Sequence, residues 1–207
     1  MGFSTTAPYK TSGQDGIYPV LLQKGWESLP YPICSIYGVS MSTWYISQVW
    51  RKARVTFVPK PGKIDYTTAK AFCPISLTSF LLKRWEKLVD RYLRYGPLVD
   101  IPIHLRQHAF QAGKFTESAL HHVVRRIEKA LDGGEYALGV FDIQGAFGNA
   151  PIITSIKKTL HERRVIPAIS NWIGSMIEQR TVCVGLTMIH IATQRGLPQG
   201  RGLSPTL

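Results

Sequence analysis

Residues 136–147 read Tyr-Ala-Leu-Gly-Val-Phe-Asp-Ile-Gln-Gly-Ala-Phe. From Tyr136 to Ile143 the run is apolar except for Asp142, which predicts a short buried strand ending in one acid. A carboxylate at the end of such a strand is costly unless it binds a cation or gathers hydrogen bonds, so Asp142 is the sharpest single candidate. An ordinary strand-end aspartate that caps the next turn is the competing reading.

The flanks of this strand are helical. Upstream, Thr116 to about Leu131 places Leu120, Val123, Val124, Ile127 and Leu131 at helical spacing, expected to face inward, and Gly133-Gly134 ends the helix. Downstream, Asn149-Ala150-Pro151 starts a helix whose apolar face is Ile152, Ile153, Ile156 and Leu160, and Ile166 to Ile177 makes another with Pro167 near its start. Thr181–Gly185 and Met188–Thr193 alternate like the two strands of a hairpin, and residues 195–200 form a Gly/Pro loop.

Further upstream, Arg54 to Val58 alternates like a strand and runs into the basic loop Pro59-Lys60-Pro61-Gly62-Lys63. Cys73-Pro74 reads as a second break, leading to Thr78 as a helix N-cap. Beyond it Leu81, Leu82, Trp85, Leu88, Val89 and Tyr92 repeat at helical spacing, with Lys83, Arg84, Lys87 and Arg91 off that face. Residues 1–50 are turn-rich around Ser12-Gly13-Gln14-Asp15-Gly16 and then mixed apolar and aromatic. Helices and strands mix without strict βαβ alternation, so the predicted class is α+β.

At 207 residues, 44% apolar and 18% charged, the chain is long and apolar enough for one or two domains with a sizeable core. Lys and Arg number 25 against 13 Asp and Glu, a formal +12 that favours a polyanionic partner, nucleic acid first among them. Cys34, Cys73 and Cys183 are far apart with no CxxC pair, which speaks against a disulfide framework or a structural zinc site. No secretory leader and no apolar run long enough to span a bilayer is visible, so an intracellular setting without membrane association is expected, nuclear or cytoplasmic undetermined.

Several motif-like stretches fail on inspection. Gly113-Lys114-Phe115-Thr116 has the ending of a phosphate loop, but His108 stands in place of its first glycine and Phe115 in place of Ser/Thr. His161-Glu162-Arg163-Arg164 lacks the second histidine of a zinc-protease helix, and His121-His122 reads as a solvated pair. The 59–63 loop can grip phosphate through Lys60, Lys63 and its backbone N–H groups, or be a solvated turn.

The order of the pieces says more than any one of them. Ser12 to Ile17, Pro59 to Lys63, Pro74-Ile75-Ser76-Leu77-Thr78-Ser79, Phe141-Asp142-Ile143-Gln144-Gly145-Ala146-Phe147, Arg195 to Gly200 and Leu203-Ser204-Pro205 follow one another along nearly the whole chain. This series closely resembles the fingers and first palm motifs of reverse transcriptases of non-LTR retrotransposons, of the kind common in insects. The resemblance implies an incomplete right-hand polymerase fold: a fingers-like region over residues 1–135, a partial palm over 136–207 and no thumb. It also implies RNA-templated addition of deoxynucleotides, with an RNA template, a DNA primer and deoxynucleoside triphosphates as partners. No particular protein partner is implied.

Residue by residue, Asp142 matches the first catalytic aspartate, a ligand of two Mg²⁺ ions. Phe147 matches the aromatic residue under the incoming sugar, a role compatible with core packing. Gln199 and Gly200 match the loop against the incoming nucleotide and template, and Lys60 and Lys63 lie in the basic fingers loop. There are departures. Cys73 stands where the family usually has the arginine that grips the triphosphate, and a thiol cannot replace a bidentate guanidinium. Gly148 replaces a common aspartate, Phe115 a small serine, and Arg201-Gly202 a small-plus-β-branched pair.

The Ala-Asp-Asp hairpin with the remaining metal ligands is not among residues 1–207, so the resemblance reads the chain as a truncated copy, inactive as it stands, with Mg²⁺ not stably held. The alternative is a non-catalytic RNA-binding remnant. Primer extension on an RNA template by residues 1–207 is expected to equal that of the Asp142→Asn variant; extension abolished by that substitution would contradict this reading.

Overall fold

The structure is a computed structural model that describes residues 7–134, 139, 152–178, 180–184, 187–189, 196–197, 202–204 and 206–207. Apart from exposed Gly139, the predicted strand 136–143 lies outside the described residues, as do the Pro151 helix start and the far end of the second hairpin strand.

Four strands form one sheet in the order β2-β1-β3-β4: β1 (Lys52–Pro59), β2 (Phe72–Leu77), β3 (Thr181–Val184) and β4 (Thr187–Ile189). β1 is the inner strand that both halves of the chain share. It pairs antiparallel with β2, Arg54 opposite Leu77 and Pro59 opposite Phe72, and parallel with β3, Lys52 opposite Thr181 and Val55 opposite Val184. A parallel pair needs a long crossover, here the chain from residue 60 to 180. The predicted hairpin is present, with β3 and β4 antiparallel and Val184 opposite Thr187.

Eight α-helices are described: α1 (Pro19–Lys24), α2 (Pro30–Thr43), α3 (Gln48–Arg51), α4 (Phe80–Tyr95), α5 (Pro97–Asp100), α6 (Thr116–Asp132), α7 (Ile153–Glu162) and α8 (Pro167–Ile177). The first three occupy the stretch that sequence periodicity left unassigned. α1 and α2 both start on proline, whose fixed φ suits the first turn. α+β is the class observed.

One hydrophobic core joins the helices. Tyr37 of α2 stacks on Trp85 of α4 at 4.6 Å between ring centroids and donates its hydroxyl to the Leu81 carbonyl at 2.7 Å. Burial pushes that hydroxyl well above the ordinary phenol range. Trp172 of α8 is fully buried, meets Trp85 edge-on at 6.1 Å, and donates its indole N–H to the Ser40 hydroxyl at 3.0 Å. Ile156 and Leu160 of α7 are buried as expected, and Ile153 packs against the core.

Three expectations need correction. Pro74 is not a break: it sits within β2, and a proline without its N–H is tolerated there because β2 is an edge strand. The cap of α4 is Ser79, whose hydroxyl accepts the Leu82 N–H at 3.4 Å; Thr78, one residue earlier, is buried. The apolar stripe of α6 does not face inward: Leu120, Val123, Val124 and Leu131 are exposed and Ile127 is half-buried. That helix is started locally, by the Ser118 hydroxyl accepting the Phe115 N–H at 3.0 Å. Periodicity reports that a face is apolar, not that another element covers it.

Trp172→Ala removes a fully buried aromatic and its hydrogen bond to Ser40. It is expected to cost about 3–5 kcal/mol, read as a lower urea midpoint by far-UV circular dichroism. A change under about 1 kcal/mol would show that the α2–α4–α8 junction is not the core.

Candidate nucleic-acid interface

Helix α4 divides its sixteen residues by face. Leu82, Val89 and Leu93 turn into the core, each at most 3% exposed, whereas Lys83, Arg84 and Lys87 lie off that side. Leu81, Trp85 and Tyr92 pack at the margin, as their spacing predicts.

The turn-containing segment before α1 runs past the start of this helix. Gly13 makes that possible: a Cβ there would stand 2.7 Å from the Ser79 nitrogen and the Thr78 carbonyl carbon, closer than any side chain tolerates. The result is an open cleft of about 400 Å³ lined by Lys10, Thr11, Leu77, Phe80, Lys83, Arg84 and Lys87. Four of its seven lining residues are cations and none is acidic. The Lys83 ammonium stands 5.0 Å over the Phe80 ring, a cation–π contact that orients the charge. Partial burial lowers the Arg84 guanidinium from its ordinary value, yet it stays ionised across the working pH range. A concave surface of one sign focuses the field on an anion, and guanidinium with ammonium groups is the donor set for phosphate.

Lys60 and Lys63 sit in the turn that joins β1 to β2. The Lys60 N–H donates to the Ala71 carbonyl at 2.8 Å, closing the hairpin, and the Tyr66 hydroxyl donates to the Lys60 carbonyl at 2.8 Å. Gly62 takes φ +75°, in the left-handed region that glycine enters without strain. The Thr67 N–H and hydroxyl hold the Asp65 carboxyl below its usual range, so this loop carries a fixed anion beside its two lysines. Lys63 and Ile64 are exposed at the tip. The loop is thus a braced basic hairpin end.

The other predicted site residues, Asp142, Phe147, Gln199 and Gly200, lie outside the described residues. Among the described residues no group of three or more His, Cys, Asp or Glu could hold a metal ion. Cys73 is a half-buried free thiol in β2, across from Val58. Lys114, set aside as a phosphate ligand, donates its ammonium to the Leu105 and Gln107 carbonyls and so braces its own loop. Lys10 and Thr11 were missed, because an isolated lysine in a turn-rich terminus carries no periodic signal. The glycine at position 13 was the available clue to a close approach.

No family model matches the chain. It is similar to a probable RNA-directed DNA polymerase from transposon BS of Drosophila melanogaster, 30% identical over 185 residues, with 83% of this chain and 19% of the relative covered. It is equally similar to the RNA-directed DNA polymerase from mobile element jockey of the same fly, 30% identical over 176 residues, with the same 83% and 19% covered. The chain spans about a fifth of the length of these curated relatives, over most of its own. Over most of its own length the chain is therefore similar to RNA-directed DNA polymerases of mobile elements.

Proposed function

We propose that these residues form the fingers (1–135) and first part of the palm (136–207) of a right-hand polymerase that copies RNA into DNA. The observation that carries the reading is the acid-free cleft of Lys10, Lys83, Arg84 and Lys87, which suits the phosphate backbone of a nucleic acid strand. The basic hairpin end, with Lys60 and Lys63, gives a second point of contact on the same kind of backbone. Phosphate contacts of this type fix register without reading sequence, which is what a polymerase needs of its template grip.

In this reading the chemistry is nucleotidyl transfer to a DNA 3′ end. Asp142 is the residue proposed to hold Mg²⁺, which when bound supplies charge stabilisation at the attacking and leaving oxygens. Phe147 would bear on the sugar, and Gln199 with Gly200 on the nucleotide and template. Cys73 favours a second reading, a non-catalytic RNA-binding relative, since a thiol cannot grip a triphosphate as a guanidinium does.

Binding of a single-stranded RNA oligonucleotide, titrated by fluorescence anisotropy across a salt series, tests the reading. Affinity should fall with salt at about −0.7 in log–log slope per phosphate contacted. Lys83→Ala with Lys87→Ala should weaken binding and make the slope shallower by about 1.4, two contacts' worth, and Lys60→Ala with Lys63→Ala should act likewise. Arg125→Ala with Arg126→Ala, on exposed α6, should change little. Salt-insensitive binding, or binding undisturbed by either lysine pair, would overturn the proposal.

A further inference from the structure

A slanted row of residues on α4 leads from its buried side towards its cations. Glu86, Asp90 and Arg94 follow one another at four-residue spacing and so stand in one row along the helix. All three are engaged with the chain's last segment. The Glu86 carboxylate, fully buried, accepts the Gly202 N–H at 3.2 Å. Asp90 accepts the Thr206 hydroxyl, which also receives an N–H from the Arg94 guanidinium at 2.8 Å, while Arg94 donates a second N–H to Asp90 at 2.9 Å. Between these anchors Leu203 is fully buried.

Further upstream, Gly196 is held by another buried charge. Arg180 donates to the Gly196 carbonyl at 2.6 Å and to the Ile177 carbonyl at 2.7 Å, and Leu197 beside it is buried. A buried carboxylate or guanidinium is dearer than an apolar side chain of the same size, so using them to hold backbone groups points to position rather than stability.

Gly202 lies directly against the cationic helix. A Cβ there would meet the Lys87 Cγ at 3.5 Å and the Lys83 carbonyl at 3.7 Å. The backbone that Glu86 grips therefore runs alongside the stem of a lysine that lines the cleft.

We propose that Glu86 is a positioning residue for the phosphate-binding cleft: it fixes the 202–206 segment against α4 and so sets Lys83 and Lys87 for the bound strand. This rests on the nucleic-acid reading of the cleft. It makes a prediction opposite in sign to simple electrostatics, because removing a negative charge beside a phosphate site should by itself tighten binding.

The test compares Glu86→Gln, which keeps an oxygen acceptor for the Gly202 N–H, with Glu86→Leu, which fills the same volume and accepts nothing. Two readouts are taken on the 207-residue chain: amide hydrogen exchange at Gly202, Leu203, Ser204 and Thr206, and affinity for a single-stranded RNA oligonucleotide. The leucine variant should exchange faster at Gly202, Leu203, Ser204 and Thr206 and bind RNA roughly tenfold more weakly, the scale of one lost charge-assisted hydrogen bond. The glutamine variant should exchange like the parent and bind RNA at least as tightly. Unchanged exchange in the leucine variant would overturn the proposal, as would tighter RNA binding by both variants. A parent chain that does not bind RNA would instead defeat the reading of the cleft, and the exchange comparison would still decide whether Glu86 holds the segment.

Discussion

Burial of one side of α4 governs the arrangement of everything around it. Leu82, Val89 and Leu93 enter the core shared by α2, α7 and α8, each contributing about 1.5–3 kcal/mol of transfer free energy. Once that side is fixed, helical geometry leaves no freedom in where the others go. Lys83, Arg84 and Lys87 must meet the N-terminal segment, and Glu86, Asp90 and Arg94 must meet the 202–206 segment. A rotation of α4 that exposed Leu82 would dismantle both the cleft and the anchors.

The sheet imposes the second constraint. β1 is flanked by β2 from its own neighbourhood and by β3 from more than a hundred residues later, so the basic hairpin end and the C-terminal helices are built on one strand. The cationic surfaces are consequently tied to regular structure: a sixteen-residue helix carries Lys83, Arg84 and Lys87, and the loop with Lys60 and Lys63 is closed by the Lys60 to Ala71 bond at the ends of two paired strands. Ammonium groups on such supports present their charge at set distances, which a strand held by its phosphates requires.

Much of this was legible in the sequence where a local signal and a tertiary partner agree. The α4 repeat from Leu81 to Tyr92 and Pro167 at the start of α8 appear as read; the α7 face read as Ile152, Ile153, Ile156 and Leu160 is buried except at exposed Ile152 and half-buried Ile153, and the strand read over Thr181–Gly185 is described over Thr181–Val184. Errors arose where the two separate. The α6 stripe is as regular as that of α4, yet none of its residues is buried, since amphipathicity is a property of the helix and coverage a property of the fold. Pro74 looked like a break because edge position cannot be seen from one strand alone. Residues 17–50 hid three helices because α2 is apolar on most sides, with Ile36 and Val39 exposed and Ile33 and Tyr37 buried. The site divides similarly. The lysines at 60, 63, 83 and 87 are visible as charge, but no sequence pattern marks Glu86, whose burial and bond to Gly202 only the fold shows.

The central claim is that nucleic acid lies along α4 and the β1–β2 turn, and the most direct check is a map of contact. A single-stranded RNA oligonucleotide carrying a photoreactive base would be cross-linked to the chain and the adducts located by peptide mass spectrometry. The account predicts adducts on peptides carrying Lys10–Thr11, Phe80–Lys87 and Lys60–Lys63, all lost together at high salt. Adducts confined to α6, whose exposed Arg125, Arg126 and Lys129 offer the rival basic surface, would contradict it.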